Sequence, residues 1–454
     1  MKTPNWCWFA GIVLAAILAA SPARAGDVAL LQLIEVLHDN GTINDEAYEK
    51  LRAAIVSEAP DQSGATEEAT VEQAEEETGE QDAAARIDFE GRKLRVESAD
   101  SRFGFRLGGR IMTDAAHYDE DITPLGSGTE LRRVRLSWDG TLSRNWEFKG
   151  ALEMAGGADL KSTYLDYVGV PDTYFRFGKY KEPVIMEELS SSKYTTFMER
   201  AMLTELHPGR NVGLGAGRSG ERWGLSAGVF AGLEDGEEEQ DEGLALSGRF
   251  HYAPWYGPRH SAHLGISASY RDMGDSQAIR FRARPESHVT GARLVDTGTV
   301  EDVDKVAWLG LEAALVADSL SLQSEYFAAD LGRSGLSDPR FHGWYASASW
   351  FLTGESRSYD ARDGSFGRIT PHRPFGQGGP GAFELGLRFS RLDLTDDDVV
   401  GGVQDNLTLG LNWYPTPNIR FMANYIKVLE LDRPGSDLDG DTPSIFQIRG
   451  QADF

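Results

Sequence analysis

The sequence predicts an all-β fold, a 16-stranded antiparallel transmembrane β-barrel with a short N-terminal periplasmic helical segment, and three observations carry that prediction. The last ten residues alternate, with Phe446, Ile448, Gly450, Ala452 and Phe454 on one face, Gln447, Arg449, Gln451 and Asp453 on the other, and an aromatic residue at the end. Sixteen stretches with the same two-residue period follow one another from Phe103 onward, the even number a barrel with both termini on one side requires. A content of 51 Gly with 10% aromatics suits one large barrel better than several soluble domains in 454 residues.

Residues 1–25 read as a secretory leader: Lys2, an apolar run from Trp6 to Ala20, and Ala23-Arg24-Ala25 as a cleavage site. The single cysteine, Cys7, lies inside it, so the mature chain is expected to hold no disulfide and no cysteine metal site. No other window is an uncharged apolar run long enough for a spanning helix.

Residues 26–85 form a separate acidic part. They carry 16 acidic and two basic side chains, net −14, against 55 and 41 in residues 86–454, also −14; Lys2 and Arg24 restore the total of −26. Leu30, Leu31, Leu33, Ile34 and Leu37 give one helical stripe, Asn40-Gly41 breaks it, and Tyr48, Leu51, Ile55 and Val56 give a second. Two readings of this helical hairpin are open: a small packing unit, or a periplasmic contact for oligomerisation or the cell wall. Residues 67–82 read as a solvated helix or a linker.

The strands then run in order: 103–111, 133–142, 146–154, 162–170, 173–180, 211–218, 223–232, 244–253, 261–271, 306–316, 319–329, 341–353, 381–393, 405–414, 418–429 and 445–454. Alternate connections are short, as at 143–145, 171–172, 317–318 and 415–417. The others are mostly long and charged, as at 114–129, 181–210, 272–305 and 430–444. Short turns below and long loops above are the outer-membrane pattern. Residues 354–380 break it, a long segment on the short side: either an elaborated turn or a fault in the count. Trp138, Trp146, Trp223, Tyr252, Trp344, Trp350, Trp413 and Tyr425 fall on the outward faces, as interfacial girdles do. The opposite face, rich in Arg, Glu, Asn and Ser, would ruin a packed core, whereas a barrel of this size encloses water.

Six runs in order, TTFMERA at 195–201, PGRNVG at 208–213, RARPESH at 282–288, RLVDTG at 293–298, WFLTGESRSY at 350–359 and LGLNWYP at 409–415, resemble the phosphate-selective porins O and P of Gram-negative outer membranes. The resemblance covers residues 103–454. It implies a homotrimer in the bacterial outer membrane, among its lipid and lipopolysaccharide, whose third external loop, here 181–210, folds into the channel and narrows it.

Charge then suggests where small inorganic anions would pass, since anions entering a narrow channel lose hydration that fixed cations must replace. Arg102, Arg106 and Arg110 share one face of the first strand, with Arg133 and Arg135 on the second. They form either a basic ladder along the lumen or a network paired with Asp139, Glu147 and Glu153. Lys179, Lys181, Lys193, Arg200 and Arg210 are the candidates for the constriction, and Glu182, Glu187, Glu188, Glu199 and Glu205 stand against them. That density of acid departs from a strongly phosphate-selective filter. Arg280, Arg282 and Arg284 make a second basic row, for anions or for lipopolysaccharide phosphates, and residues 234–242 an acidic, solvated external loop.

An acidic chain without a concentrated basic face argues against nucleic-acid binding. No histidine spacing suggests a metal, no cofactor is implied, and no Ser-His arrangement suggests an enzyme. Three functions remain at this level: an anion-passing porin, a weakly selective porin for cations or sugars, and an envelope-tethering barrel.

Overall fold

The computed structural model describes residues 48–49, 52, 86–90, 93–98, 100, 102–232, 243–274 and 277–454. The chain divides into two compact units, Met1–Glu80 and Gln81–Phe454. In the first, Tyr48, Glu49 and Arg52 are helical; the rest of the expected hairpin, the leader, the linker and the acidic loop at 234–242 lie outside the described residues.

In the second unit sixteen strands close into an antiparallel barrel. They are β1 (Phe103–Asp119), β2 (Gly128–Leu142), β3 (Trp146–Glu153), β4 (Thr163–Val170), β5 (Thr173–Lys181), β6 (Arg210–Ser219), β7 (Trp223–Ala231) and β8 (Leu244–Tyr256). The second half is β9 (His260–Asp272), β10 (Val303–Ala317), β11 (Leu320–Arg333), β12 (Arg340–Phe351), β13 (Ala382–Asp396), β14 (Val399–Thr416), β15 (Ile419–Asp432) and β16 (Ser444–Asp453). β16 pairs with β1 from Ser444↔Asp119 to Asp453↔Arg110, leaving no open edge between them. Phe454 exchanges backbone hydrogen bonds of 3.0 and 3.1 Å with Gly109, and a Cβ on Gly109 would overlap the terminal ring. Below that seam a hairpin, Arg86–Glu90 with Lys93–Glu97, adds to β1 through Leu94↔Leu107 to Glu97↔Gly104. The alternation reading did not find this hairpin.

The period-two faces point as the sequence expects. In β16, Phe446 is 51% exposed while Gln447 is 1%. Around the barrel Leu214, Leu246, Leu264, Leu322 and Leu409 are all more than half exposed, an apolar belt that only lipid makes tolerable. Near the short turns, Trp413 lies 5.5 Å from Phe421 and 5.5 Å from Phe375, and Trp146 lies 5.0 Å from Tyr167. The tightest turns place Asp172 (φ 55) and Asp318 (φ 53) in the left-handed region, which an acidic side chain tolerates and a two-residue hairpin demands.

One open alternative closes and one expectation changes. Residues 352–381 are an elaborated turn, and the count of sixteen holds. The segment folds into the lumen, where Arg249 donates to the Asp363 and Gly364 carbonyls (3.1 and 2.8 Å) and Arg357 donates to Gln323 (2.9 Å). The lumen is also not hydrated throughout. At the long-loop end the inward residues Val306, Trp308, Phe327, Phe341, Leu392, Ile426 and Val428 pack with Val184, Ile185, Met202, Leu203 and Leu206 of one loop and Phe281, Leu294 and Val295 of another. Where a strand's inner face meets an inserted loop instead of water, apolar residues are favoured there too.

Candidate functional site

Residues 182–209 leave β5, cross the lumen and return to β6. Their first turn includes Ile185 at φ 55, a conformation a β-branched residue adopts only when packing over-determines it, and Ile185 is 1% exposed. The far end of the loop, the TTFMERA run, is held by inward side chains of β13–β16. Asn412 and Arg420 donate to the Thr196 and Thr195 carbonyls (2.9 and 2.6 Å), Asn424 accepts from the Met198 amide (2.8 Å), and Arg388 donates to the Glu199 carbonyl (3.1 Å). Gly386 and Gly410 leave room on the wall for Thr196 and Phe197. A second loop arrives from between β9 and β10 and delivers Glu286, φ 55, to Arg388 at 2.6 Å, with Ser390 and Thr408 donating to the same carboxylate (2.6 and 3.0 Å).

Most of the acid of the crossing loop is taken up by partners within the barrel. Glu182 binds Arg271 (2.5 Å) and Asn211 (2.7 Å); Glu187 accepts from the Ala201 amide (3.1 Å). Glu199 is clamped by Arg132 (2.8 Å) and Arg449 (2.6 Å). Glu188 sits among Lys181 (2.8 Å), Arg200 (3.1 Å), His207 (3.7 Å) and Arg210 (3.8 Å). Burial pushes its carboxyl up, but Arg200, Lys181, His207 and Arg210 outweigh burial and hold it well below the usual carboxylate range. Of the five, Glu205 alone is exposed.

Between the loop and the inner faces of β1–β5 lies an open cavity of about 580 Å³, lined among the described residues by eleven Lys and Arg residues and one carboxylate, Asp139. Arg110 and Arg135 stand directly opposite each other on β1 and β2, a like-charge pairing that sheet stability alone disfavours. Arg110 donates to Ser192 (2.8 Å), and Arg133 has no hydrogen-bond partner for Nε among the described residues. Arg133 and Arg200 also line an outer cavity of about 220 Å³ with Arg132, Arg284, Glu188, Glu199, Glu205 and Glu286, so the two spaces meet at this pair. A third cavity, about 340 Å³, shares Tyr164, Arg176, Tyr180 and Lys181 with the first and reaches Arg362 and Asp363 of the turn-side segment.

Of the ten cations expected from sequence, the structure brings seven together here: Arg110, Arg133, Arg135, Lys181, Lys193, Arg200 and Arg210. Arg106 stands beside them, paired with Asp139 at 2.5 Å. Arg102 precedes β1 and pairs with Asp100; Lys179 shares the outward parity of Phe175 and Phe177; neither lines the cavity. In the first row Arg106 and Arg135 are paired (Arg135 with Glu153 at 2.9 Å), while among the described residues Arg110 and Arg133 have no carboxylate within ion-pair distance. Sequence reasoning missed Lys149, Lys161, Arg176 and Arg368, which line the cavity, and Arg132, the extra residue of a β2 bulge opposite Met112 and Thr113, which turns inward next to Arg133. The doublet Arg132-Arg133 breaking the alternation was the available signal. The row Arg280, Arg282, Arg284 does not act together: Arg280 pairs with Asp296 (2.5 Å) and Arg284 lines the outer cavity.

The family described as phosphate-selective porin O and P matches residues 105–454. The chain belongs to that family. This porin is 28% identical over 403 residues to Porin O of Pseudomonas aeruginosa, covering 77% of this chain and 88% of the relative. It is 35% identical over 340 residues to an uncharacterised protein of Caulobacter vibrioides, covering 71% and 68%. Among solved structures it resembles an anion-selective porin from Comamonas acidovorans, with a TM-score of 0.50 at 13% identity, covering 78% of this chain and 100% of that one; this likeness shows the fold alone. As a porin it forms a channel in the bacterial outer membrane and is not an enzyme.

Proposed function

We propose that this porin passes small inorganic anions, phosphate among them, by passive diffusion through the cationic cavity. One observation carries the reading. Counting, among the described residues, Asp139 and the carboxylates paired with a lining cation, namely Glu153, Asp159, Asp166, Glu188 and Asp453, cations outnumber carboxylates around the cavity by eleven to six. An anion shedding water there meets guanidinium and ammonium donors in place of its hydration shell, and a cation meets an electrostatic barrier. No energy coupling is needed. The family resemblance supports assembly as a homotrimer; the apolar run and the Ala23-Arg24-Ala25 site support residues 1–25 as a leader, and the acidic, helix-patterned composition of residues 26–85 supports a periplasmic segment.

A weakly selective porin is the second reading, and the outer cavity favours it: Arg132, Arg133, Arg200 and Arg284 there face Glu188, Glu199, Glu205 and Glu286. Reversal potential in a KCl gradient, measured on the purified protein in planar bilayers, separates the two. The expected sign is chloride-preferring, with added phosphate lowering the chloride current. A potassium-preferring sign removes the anion reading.

A further inference from the structure

The inner cavities are far larger than an inorganic anion needs, and one wall is aromatic. About 580 Å³ and about 340 Å³ fall in the range of sites for organic ligands. At the boundary they share, the Arg176 guanidinium lies over the Tyr164 ring at 3.7 Å, with Tyr174 at 4.7 Å and Tyr180 at 5.2 Å. Asp166 holds Arg176 through two bonds of 2.8 Å, to Nε and Nη2, which fixes the guanidinium plane and leaves Nη1 for another acceptor. Tyr164 meets Tyr180 edge to face at 6.0 Å, and Tyr180 meets Phe230 at 5.0 Å.

The wall behind these rings is recessed to hold them. Gly213, Gly215 and Gly217 alternate along β6, and a Cβ on each would overlap Phe230, the Tyr180 hydroxyl and the Tyr174 ring respectively. The rings therefore lie back against the strand, and the cavity keeps its width. Width, flat apolar faces and surrounding cations together suit one kind of solute.

We propose that the space beside Arg176 is a subsite for aromatic anions, planar rings bearing a carboxylate or a phosphate. The ring packs against the tyrosine and guanidinium faces while the charged group takes Arg176 Nη1 and the cations around the larger cavity, Lys161 and Arg210 among them. The inference rests on the anion-channel reading and adds to it a preference that inorganic phosphate cannot reveal.

Phenyl phosphate and methyl phosphate, alike in charge and differing in the ring, are the probes. Each is titrated against the chloride current of the full-length porin in planar bilayers. Phenyl phosphate is expected to block at a concentration about fivefold lower, the size of one aromatic pair contact. That ratio should fall toward one in Tyr164→Leu, which removes the ring, and in Gly217→Ala, which pushes the Tyr174 ring off the wall, and should persist in Tyr164→Phe. Equal block by the two probes in the wild-type channel overturns the subsite, as does a ratio unchanged in both Tyr164→Leu and Gly217→Ala. No block by either probe, together with a potassium-preferring reversal potential, overturns the anion reading and the subsite with it.

Discussion

Arginine is used in opposite ways on the two sides of this lumen. On β13–β16, Arg388, Arg420 and Arg449 are buried; Arg388 and Arg449 have carboxylates at 2.6 Å, and all three point into loop carbonyls. They are structural, fastening two inserted loops to a tall wall whose strands run 14–18 residues from β13 to β15. On β1–β5, Arg110 and Arg133 face open space, on a wall that drops to 8 residues at β3 and β4. The lesson is that charge selectivity follows from where the carboxylates stand. The number of lumen arginines does not give it.

The largest expected effect comes from breaking the fastened side. Glu286→Gln removes the nearer of the two carboxylates beside the buried Arg388 guanidinium, leaving Glu187 at 3.7 Å, and a loss on the order of 3 kcal/mol is expected, read as a lower thermal midpoint of the barrel in detergent. Arg133→Gln on the open side should shift the same midpoint by less than about 1 kcal/mol.

The open side should answer in selectivity instead. Arg110→Gln with Arg133→Gln is expected to lower the chloride-to-potassium permeability ratio about fivefold, on the order of 1 kcal/mol of attraction. Lys179→Gln, on the outward face, serves as the control and should leave the ratio near the wild-type value. If the control moves the ratio as far as the double variant, the contrast between the walls is wrong.

A smaller effect should come from pH. Burial lowers the Lys193 ammonium, Asp453 raises it, Arg110 and Arg368 lower it again, and the balance places it at about 8. Its charge is present below that pH and lost above it, so anion preference should decline between pH 7 and pH 9, by less than about twofold. Lys193→Arg, which keeps its charge throughout, should flatten the profile.

Much of this architecture was readable in advance. Alternation located all sixteen strands, because lipid on one side and polar groups on the other impose the same period along the lipid-crossing part of each strand, even though the inner faces turn apolar at the long-loop end. Strand ends were less legible: β1 runs to Asp119 where the periodic stretch ended at 111, since the wall continues above the apolar belt. The TTFMERA run was visible as a motif, but its partners Asn412, Arg420 and Asn424 are more than 200 residues away in sequence. The acidic residues of 182–209 looked opposed to anion passage, because nothing local shows that Arg271, Arg132 and Arg449 absorb them.

The chain's sequence by itself determined a closed barrel in a membrane, because a two-residue period with an aromatic, apolar face and a charged one has no other stable solution across lipid. Only the tertiary structure decided which charges an ion meets. Ion pairing falls off over a few ångströms, and the residues that come within that distance inside this lumen are brought there by loops folding across it.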